Sequence, residues 1–107
     1  MLVLLVHRQV GEILQTGRMA DDELRRRALA LVEAELDRLR ALGRVGVGAL
    51  TEGSPHDAPR EDGLTLTTHV DPEDERLMVL VEAWRGRRTL ATGGFAMGPD
   101  GQTHTPD

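Results

Sequence analysis

The order of hydrophobic patterns along the chain is the feature that most constrains its fold. A short apolar run at residues 2–6 precedes a charged segment with a helical apolar stripe, at about residues 21–42. Alternating apolar and polar residues begin only at residue 64 and continue to about residue 97. One long helix ahead of all the main strands predicts an α+β fold, with the helix packed on an antiparallel meander of three or four strands.

The helix prediction depends on spacing. Apolar residues recur at intervals of three, four and seven, which is typical of a helix with one buried side. Acidic residues lie at the start of the segment and arginines at its end, as suits the helix dipole. Gly43 predicts the end of the helix, because glycine is favoured just past the last turn. The stripe consists of Leu24, Ala28, Leu29, Leu31, Val32, Leu36, Leu39 and Leu42.

The apolar run at residues 2–6 has two interpretations. It is far shorter than the roughly 18 to 20 apolar residues of a transmembrane helix. It also lacks the basic stretch and the small-residue cleavage site of a signal peptide. The run is therefore either a first turn or short strand of the core, or the end of a longer apolar membrane or assembly helix.

Further apolar residues continue the helical spacing upstream of Asp21. Gly11 and Gly17 weaken a helix in this stretch by about 1 kcal/mol each relative to alanine. The helix is therefore expected either to run unbroken over residues 2–42 or to restart near Asp21. The residues that a projecting N-terminal helix would offer to an assembly partner are Leu2, Val3, Leu4, Leu5, Val6, Val10, Ile13 and Leu14.

Residues 43–63 are predicted to form a long connecting loop, with a short strand possible at residues 45–50. The spacing of Gly43, Gly46 and Gly48 is superficially that of a phosphate-binding loop. It lacks the lysine and hydroxyl ending of that motif, and it follows a helix instead of opening one. No nucleotide site is therefore predicted.

Residues 64–97 are predicted to form the meander. Residues 64–70 and 77–84 alternate with a period of two, as strands with one buried face do. Residues 71–75 predict the first turn, since proline cannot continue a ladder. The third strand is expected at residues 87–97, and residues 98–107 are expected to form a flexible tail.

The second turn of the meander sets its predicted register. Arg85-Gly86 is a candidate two-residue hairpin turn, with glycine at a positive φ. This turn would pair Val81 with Leu90 and place Leu90 and Thr92 on the buried face. Gly93-Gly94 predicts a bend or bulge in the third strand.

Trp84 is the remaining candidate contact residue of the sheet. Its place in the alternation puts it on the outer face, where it would either pack, stacking on Arg87, or contact a partner. Packing is the preferred interpretation.

Composition and spacing point away from catalysis. The chain has no cysteine, which excludes thiolate ligands and cysteine nucleophiles. His7, His56, His69 and His104 share no ligand spacing, and the acidic residues 71–75 lack the calcium-loop pattern. The formal net charge of −5 argues against a nucleic-acid partner. We therefore predict no enzyme activity, no cofactor, no metal site and no small-molecule substrate.

The helix and the meander together resemble one protein family. The Ala- and Leu-rich run at residues 27–42, with Glu33-Ala34-Glu35-Leu36 and Leu39 within it, is similar to the end of the long helix in type IV pilin-like proteins. It most resembles minor pilins and the I-type minor pseudopilins of type II secretion. The meander and its Asp71-Pro72 turn are similar to the sheet of that family. The resemblance spans roughly residues 2–97 and consists of residue classes, not fixed signatures.

This resemblance implies a structural subunit of an envelope-spanning filament, in a type IV pilus or a type II secretion system. Its expected partners are other pilin or pseudopilin subunits and, through the N-terminal helix, a membrane. The expected location is the bacterial inner membrane, the periplasm or an extracellular filament. The family begins with a processing signal and an apolar helix, to which only residues 2–6 correspond here, so a truncated chain would be soluble. The alternative is a small soluble protein-interaction domain, with residues 2–6 buried either in a homodimer that forms through the N-terminal helix or in the domain's own core.

Overall fold

The structure, a computed structural model, describes the backbone of residues 8–104 and the side chains of residues 21–104. It confirms the predicted α+β class: one long helix packs on an antiparallel sheet. The sheet has five strands, in sequence order, where three or four were expected. The elements are helix α1 (Arg8–Ala49), strand β1 (His56–Pro59), a 3-10 turn (Glu61–Gly63), and strands β2 (Thr65–Glu73), β3 (Arg76–Arg85), β4 (Arg88–Met97) and β5 (Thr103–His104).

Helix α1 continues through the stretch that contains Gly11 and Gly17, so it does not restart near Asp21. Within its bounds the backbone leaves helical geometry at Gly43, where φ is 77° and ψ is 180°. Glycine adopts a positive φ without the steric strain of a Cβ atom. The predicted helix end is therefore a real break, but a second helical segment follows it up to Ala49.

This second segment lies where the sequence allowed a short strand, at residues 45–50. Val45 is 87% exposed and Val47 is fully buried. Residues two apart share a face in a strand, whereas in a helix they point about 200° apart. The opposite burial of the two valines therefore fits the helix and contradicts the strand.

The rest of the predicted loop also contains regular structure. Strand β1 pairs antiparallel with the first half of β2, with His56 opposite Thr68 and Pro59 opposite Thr65. The hydroxyl of Ser54 accepts a hydrogen bond from the backbone N–H of Val70 at 2.9 Å. The strand is short and ends in proline, which is tolerated because β1 is an edge strand.

Strand β2 passes through residues that were predicted to form a turn. Pro72 lies in the strand opposite Leu77, and only Asp74-Glu75 connects β2 to β3. Strand β1 pairs with residues 65–68 alone. Pro72 therefore lies where β2 no longer has β1 as a neighbour, which is the kind of edge position that accepts proline.

The hairpin between β3 and β4 differs from the predicted register. Its loop is Gly86-Arg87, and Val81 lies opposite Gly93 instead of Leu90. The irregularity of this pairing is a bulge between Ala83 and Trp84, not a bend at Gly93-Gly94. A bulge adds one residue to one strand and so shifts every later pair.

The shifted register decides which part of β4 faces the helix. Thr92 is exposed, so its predicted place on the buried face is wrong. Leu90 is partly buried and packs against the edge of the core. Gly93 takes the position beneath the helix: a Cβ atom there would lie 2.8 Å from Cδ1 of Leu36 and 3.1 Å from Cγ1 of Val32. The absence of a side chain lets the helix approach the sheet closely.

The core lies between α1 and the inner face of the sheet. Val32, Leu36 and Leu39 are buried as the helical stripe predicted, but Leu29 is 48% exposed and Leu42 is 43% exposed. Leu29 lies about 100° around the helix axis from Ala28, at the edge of the buried side. The core cluster consists of Ala28, Val32, Leu36, Leu39, Val47, Leu64, Leu66, Val70, Leu77, Val79, Val81, Ala83, Phe95 and Met97.

The C-terminal residues are partly ordered by the sheet. Strand β5 pairs with Ala96 and Met97. The guanidinium of Arg44 donates to the backbone carbonyls of Met97 and Gly98, at 3.1 and 3.0 Å. Residues 98–104 are therefore not the free tail that their polar composition predicted, and residues 105–107 lie outside the described chain.

We expect Leu36→Ala to lower the free energy of unfolding by about 2 to 5 kcal/mol, because it leaves a cavity where the helix meets the sheet. Leu29→Ala is the matched control on the same helix and should change the free energy by less than about 1 kcal/mol, since Leu29 is half exposed. Urea denaturation of both variants measures the difference. Equal effects would show that the buried side of the helix is misplaced.

A second pair of variants tests the segment after Gly43. Val47→Asp should lower the free energy of unfolding by about 3 kcal/mol or more, because its carboxylate enters an apolar core. Val45→Asp should change it by no more than about 0.5 kcal/mol. Thermal unfolding followed by circular dichroism gives both values. Similar losses in both variants would favour the strand expected from sequence.

Candidate assembly interface

The residues predicted to form an assembly interface fall into two groups. Residues 2–6 lie outside the described chain. Val10, Ile13 and Leu14 lie on the described backbone of α1, although their side chains are not described. The structure therefore places the second group on one continuous helix with the residues that pack on the sheet.

Helix α1 is longer than the sheet that it covers. Strand β3 has 10 residues, a length of about 30 Å. The helix covers about the same distance between Leu24 and Leu42, at 1.5 Å per residue. A further stretch of about 24 Å separates Leu24 from Arg8. The longest dimension of the molecule, 62 Å against 25 and 21 Å for the others, reflects this extension.

An ion pair lies at the point where the helix leaves the domain. Arg27 binds the carboxylate of Asp62 in the 3-10 turn and lies 3.5 Å from the carboxylate of Glu23. The hydrogen bond and the negative charge of Asp62, followed by the charge of Glu23, raise the pKa of Arg27 above its ordinary value. Leu24, one turn before Arg27, lines a recess with Gly63 and is the first apolar residue packed on the core among the described side chains.

Glu35, part of the motif that suggested the family, is buried on the helix. Its carboxylate accepts two hydrogen bonds from Arg38, at 3.0 and 2.7 Å. This pairing raises the pKa of Arg38 despite some burial. The pair lines a small cavity with His56 and Thr68. Glu35 and Arg38 therefore face the β1–β2 side of the sheet across this cavity, a position that sequence spacing alone did not reveal.

The histidines of the described chain are dispersed. Nε2 of His56 donates to the carbonyl of Leu50 at 2.8 Å, and Nε2 of His69 lies 3.2 Å from Oε1 of Glu82. His104 is exposed on β5, and His7 lies outside the described residues. Between residues 21 and 104, no three histidine or acidic side chains are grouped as a metal site requires.

Trp84 lies in a hydrogen-bonded chain on the outer face of the sheet. Its Nε1 donates to Oγ1 of Thr67 at 2.6 Å, and that hydroxyl donates to Oδ1 of Asp57 at 2.6 Å. The contact links strands β1, β2 and β3. Trp84 is therefore held within the sheet by a hydrogen bond to a threonine, and the described side chains do not show the predicted stacking on Arg87.

The two ends of β3 carry opposite charges. The hairpin at its C-terminal end contains Arg85, Arg87 and Arg88, and we call it the basic tip. The hairpin at its N-terminal end contains four acidic residues and one arginine, and we call it the acidic tip: Asp71, Glu73, Asp74, Glu75 and Arg76. The charge runs are visible in the sequence, but only the topology places them at opposite ends of the domain.

Within the described part of the chain, no helix combines the length and hydrophobicity of a membrane span. Comparison of the chain with protein-family models, curated proteins and solved structures finds no match.

The Trp84 contact has a measurable consequence. Thr67→Val removes the shared hydroxyl and leaves the indole N–H and Asp57 without this partner, so we expect a loss of about 1 to 3 kcal/mol in the free energy of unfolding. Thr65→Val, on the same strand face but outside the hydrogen-bonded chain, is the control and should have a smaller effect. Denaturant titration monitored by Trp84 fluorescence measures both. A larger loss for Thr65→Val would contradict the structural role of the contact.

Proposed function

We propose that this chain is a structural subunit of an envelope-spanning filament, of the minor pilin or pseudopilin type. The architecture supports this function: a long N-terminal helix packs its C-terminal half on a small antiparallel sheet and continues past it. A helix that ended where the sheet ends would be long enough to cover the core of the domain. The extension therefore needs a function outside the domain.

The observation that carries the proposal is the phase of the helix. Val10 and Leu14 each lie five helical turns before a buried residue, Ala28 and Val32 respectively. This spacing continues the apolar stripe of the sequence upstream, along a stretch of helix backbone that exceeds the length of the strands. An apolar stripe without cover is typical of a contact surface. In the proposed filament, neighbouring subunits cover it by packing helix against helix.

The contacts of the serine and histidine side chains are consistent with a structural role. Ser54 and His56 bind backbone groups, and His69 lies beside Glu82 on the outer face. These contacts join segments of the domain and do not converge on one cleft. We therefore propose no catalytic activity and no cofactor.

The proposed partners are other pilin or pseudopilin subunits. In such a filament the helix would connect the subunit to its neighbours and to the inner membrane, with the sheet domain outside the cytoplasm. The alternative is a small protein-interaction domain that forms a homodimer through the same helix. Both proposals require the projecting stripe to be covered, but the dimer is closed whereas the filament contact repeats.

Deleting residues 1–16 tests both proposals. The free energy of unfolding should stay nearly unchanged, because about 24 Å of helix backbone separates Arg8 from Leu24, where the described packing on the core begins. Self-association, measured by sedimentation velocity, and recovery with detergent micelles or membranes should be lost. Unfolding of the truncated chain would instead place the N-terminal residues in the core and overturn the proposal.

A matched pair of point variants locates the contact. Leu14→Asp puts a charge on the stripe and should weaken self-association, whereas Gln15→Asp, about 100° around the helix, should not. Species larger than dimers in the unmodified chain would favour the filament, and a dimer that does not grow with concentration would favour the interaction domain. Equal behaviour of the two variants would contradict a contact through the stripe.

A further inference from the structure

The two ends of β3 carry opposite charges, and the fold keeps these charges apart. The basic tip carries three positive charges, and the acidic tip carries four negative charges and one positive. The two therefore have equal and opposite net charge. Strand β3 is paired on both sides, with β2 and with β4, so the tips cannot approach each other. Their separation is about 30 Å, the length of the strand.

The guanidinium groups of the basic tip form no ion pair within the described part of the chain. Arg85, Arg87 and Arg88 are all exposed, and no described carboxylate lies within 4.0 Å of their guanidinium groups. On the acidic tip, Glu73 pairs with Arg76 at 3.9 Å, and the other carboxylates of this tip have no ion-pair partner among the described side chains. About 30 Å exceeds the screening length of roughly 8 to 10 Å at physiological salt, so the two tips hardly interact within one molecule.

We propose that the basic tip of one copy of this chain docks on the acidic tip of a second copy, head to tail. The charges of the two surfaces match in number and are opposite in sign. The net charge of −5 disfavours the other obvious partner, an extended polyanion such as nucleic acid. The docked tips would leave one free tip at each end, so the contact repeats without closing.

The path of the helix agrees with this direction of assembly. Arg27 of α1 binds Asp62 at the end of the domain where Arg85 lines the same recess. Arg44 binds the carbonyl of Met97 at the other end. The helix therefore runs from the basic end to the acidic end, and its extension leaves the domain beside the basic tip. A copy docked there would lie alongside the extension, which is the surface that the proposed function needs covered.

The inference rests on the proposed function only in taking copies of this chain as partners. It adds a contact between sheet domains, one that sets the order and polarity of the copies. Charged contacts of this kind mainly accelerate and orient association, while apolar contacts supply the larger part of the affinity. The tips and the helical stripe can therefore be tested separately.

Cysteine crosslinking of the full chain tests the contact, since the chain has no cysteine of its own. Thr89→Cys marks the basic tip and Pro72→Cys the acidic tip, and neither changes a charge. The chain with both cysteines should crosslink into a ladder of oligomers. Mixing the two singly marked chains should give heterodimers faster than either forms homodimers. Homodimers that form at the heterodimer rate would overturn the head-to-tail arrangement.

Charge reversal makes the test specific. One variant reverses the basic tip, with Arg85→Glu, Arg87→Glu and Arg88→Glu. The other reverses the acidic tip, with Asp71→Arg, Glu73→Arg and Glu75→Arg. Each variant alone then has tips of one sign, and its crosslinking rate should fall about tenfold. A mixture of the two should crosslink at close to the original rate, because each reversed tip meets its complement.

Three results would overturn the contact: crosslinking that charge reversal does not slow, a mixture that does not recover, or a rate unaffected by 1 M salt, where screening acts within about 3 Å. Unfolding midpoints close to that of the unmodified chain establish that the variants fold.

Repeating the mixture with Leu14→Asp in both chains separates the two proposals. If the mixture still crosslinks at close to the original rate, the tips dock without any contribution from the helical stripe. If the rate recovers only in chains with Leu14 intact, the tips do not dock by themselves.

Discussion

The domain depends on one close approach, where Val32 and Leu36 of the helix rest on Gly93 of β4. Because Gly93 has no side chain, the helix lies low enough for its narrow apolar side to bury against the inner face of the sheet. This contact fixes the axis of the helix relative to the strands. The direction in which the N-terminal extension leaves the domain, and hence the surface that it offers, follows from that axis.

The class of fold was readable from sequence because helix and strands have different periods. Burial of Val32 and Leu39, and the break at Gly43, followed from that pattern. The register of β4 did not follow, because the hairpin loop is Gly86-Arg87 instead of Arg85-Gly86 and a bulge beside Trp84 shifts the pairing by one further residue without a clear local signal. Strand β1 was missed because it is short and proline-ended, so its order comes from pairing with β2 and not from its own alternation.

Sequence alone predicted some parts of the candidate interface, the apolar helix positions, better than others, the charged tips. The apolar positions Val10 and Leu14 were identified from helical spacing, and the structure adds that their helix is continuous with the packed one. The sequence showed the two charged tips only as separate runs of arginine and of acidic residues. Their opposition depends on the tertiary fact that β3 joins them across the whole length of the domain. Sequence alone likewise gave no reason to expect Glu35 to be buried in a pair with Arg38.

The central claim is that the first part of α1 is an extension of the domain and becomes buried only by association. Hydrogen–deuterium exchange of backbone amides at several protein concentrations tests it most directly. We expect amides of residues 10–20 to exchange rapidly in dilute protein and to become protected as the concentration rises, while those of residues 32–39 stay protected throughout. Strong protection of residues 10–20 at the lowest concentration, equal to that of residues 32–39, would contradict the account.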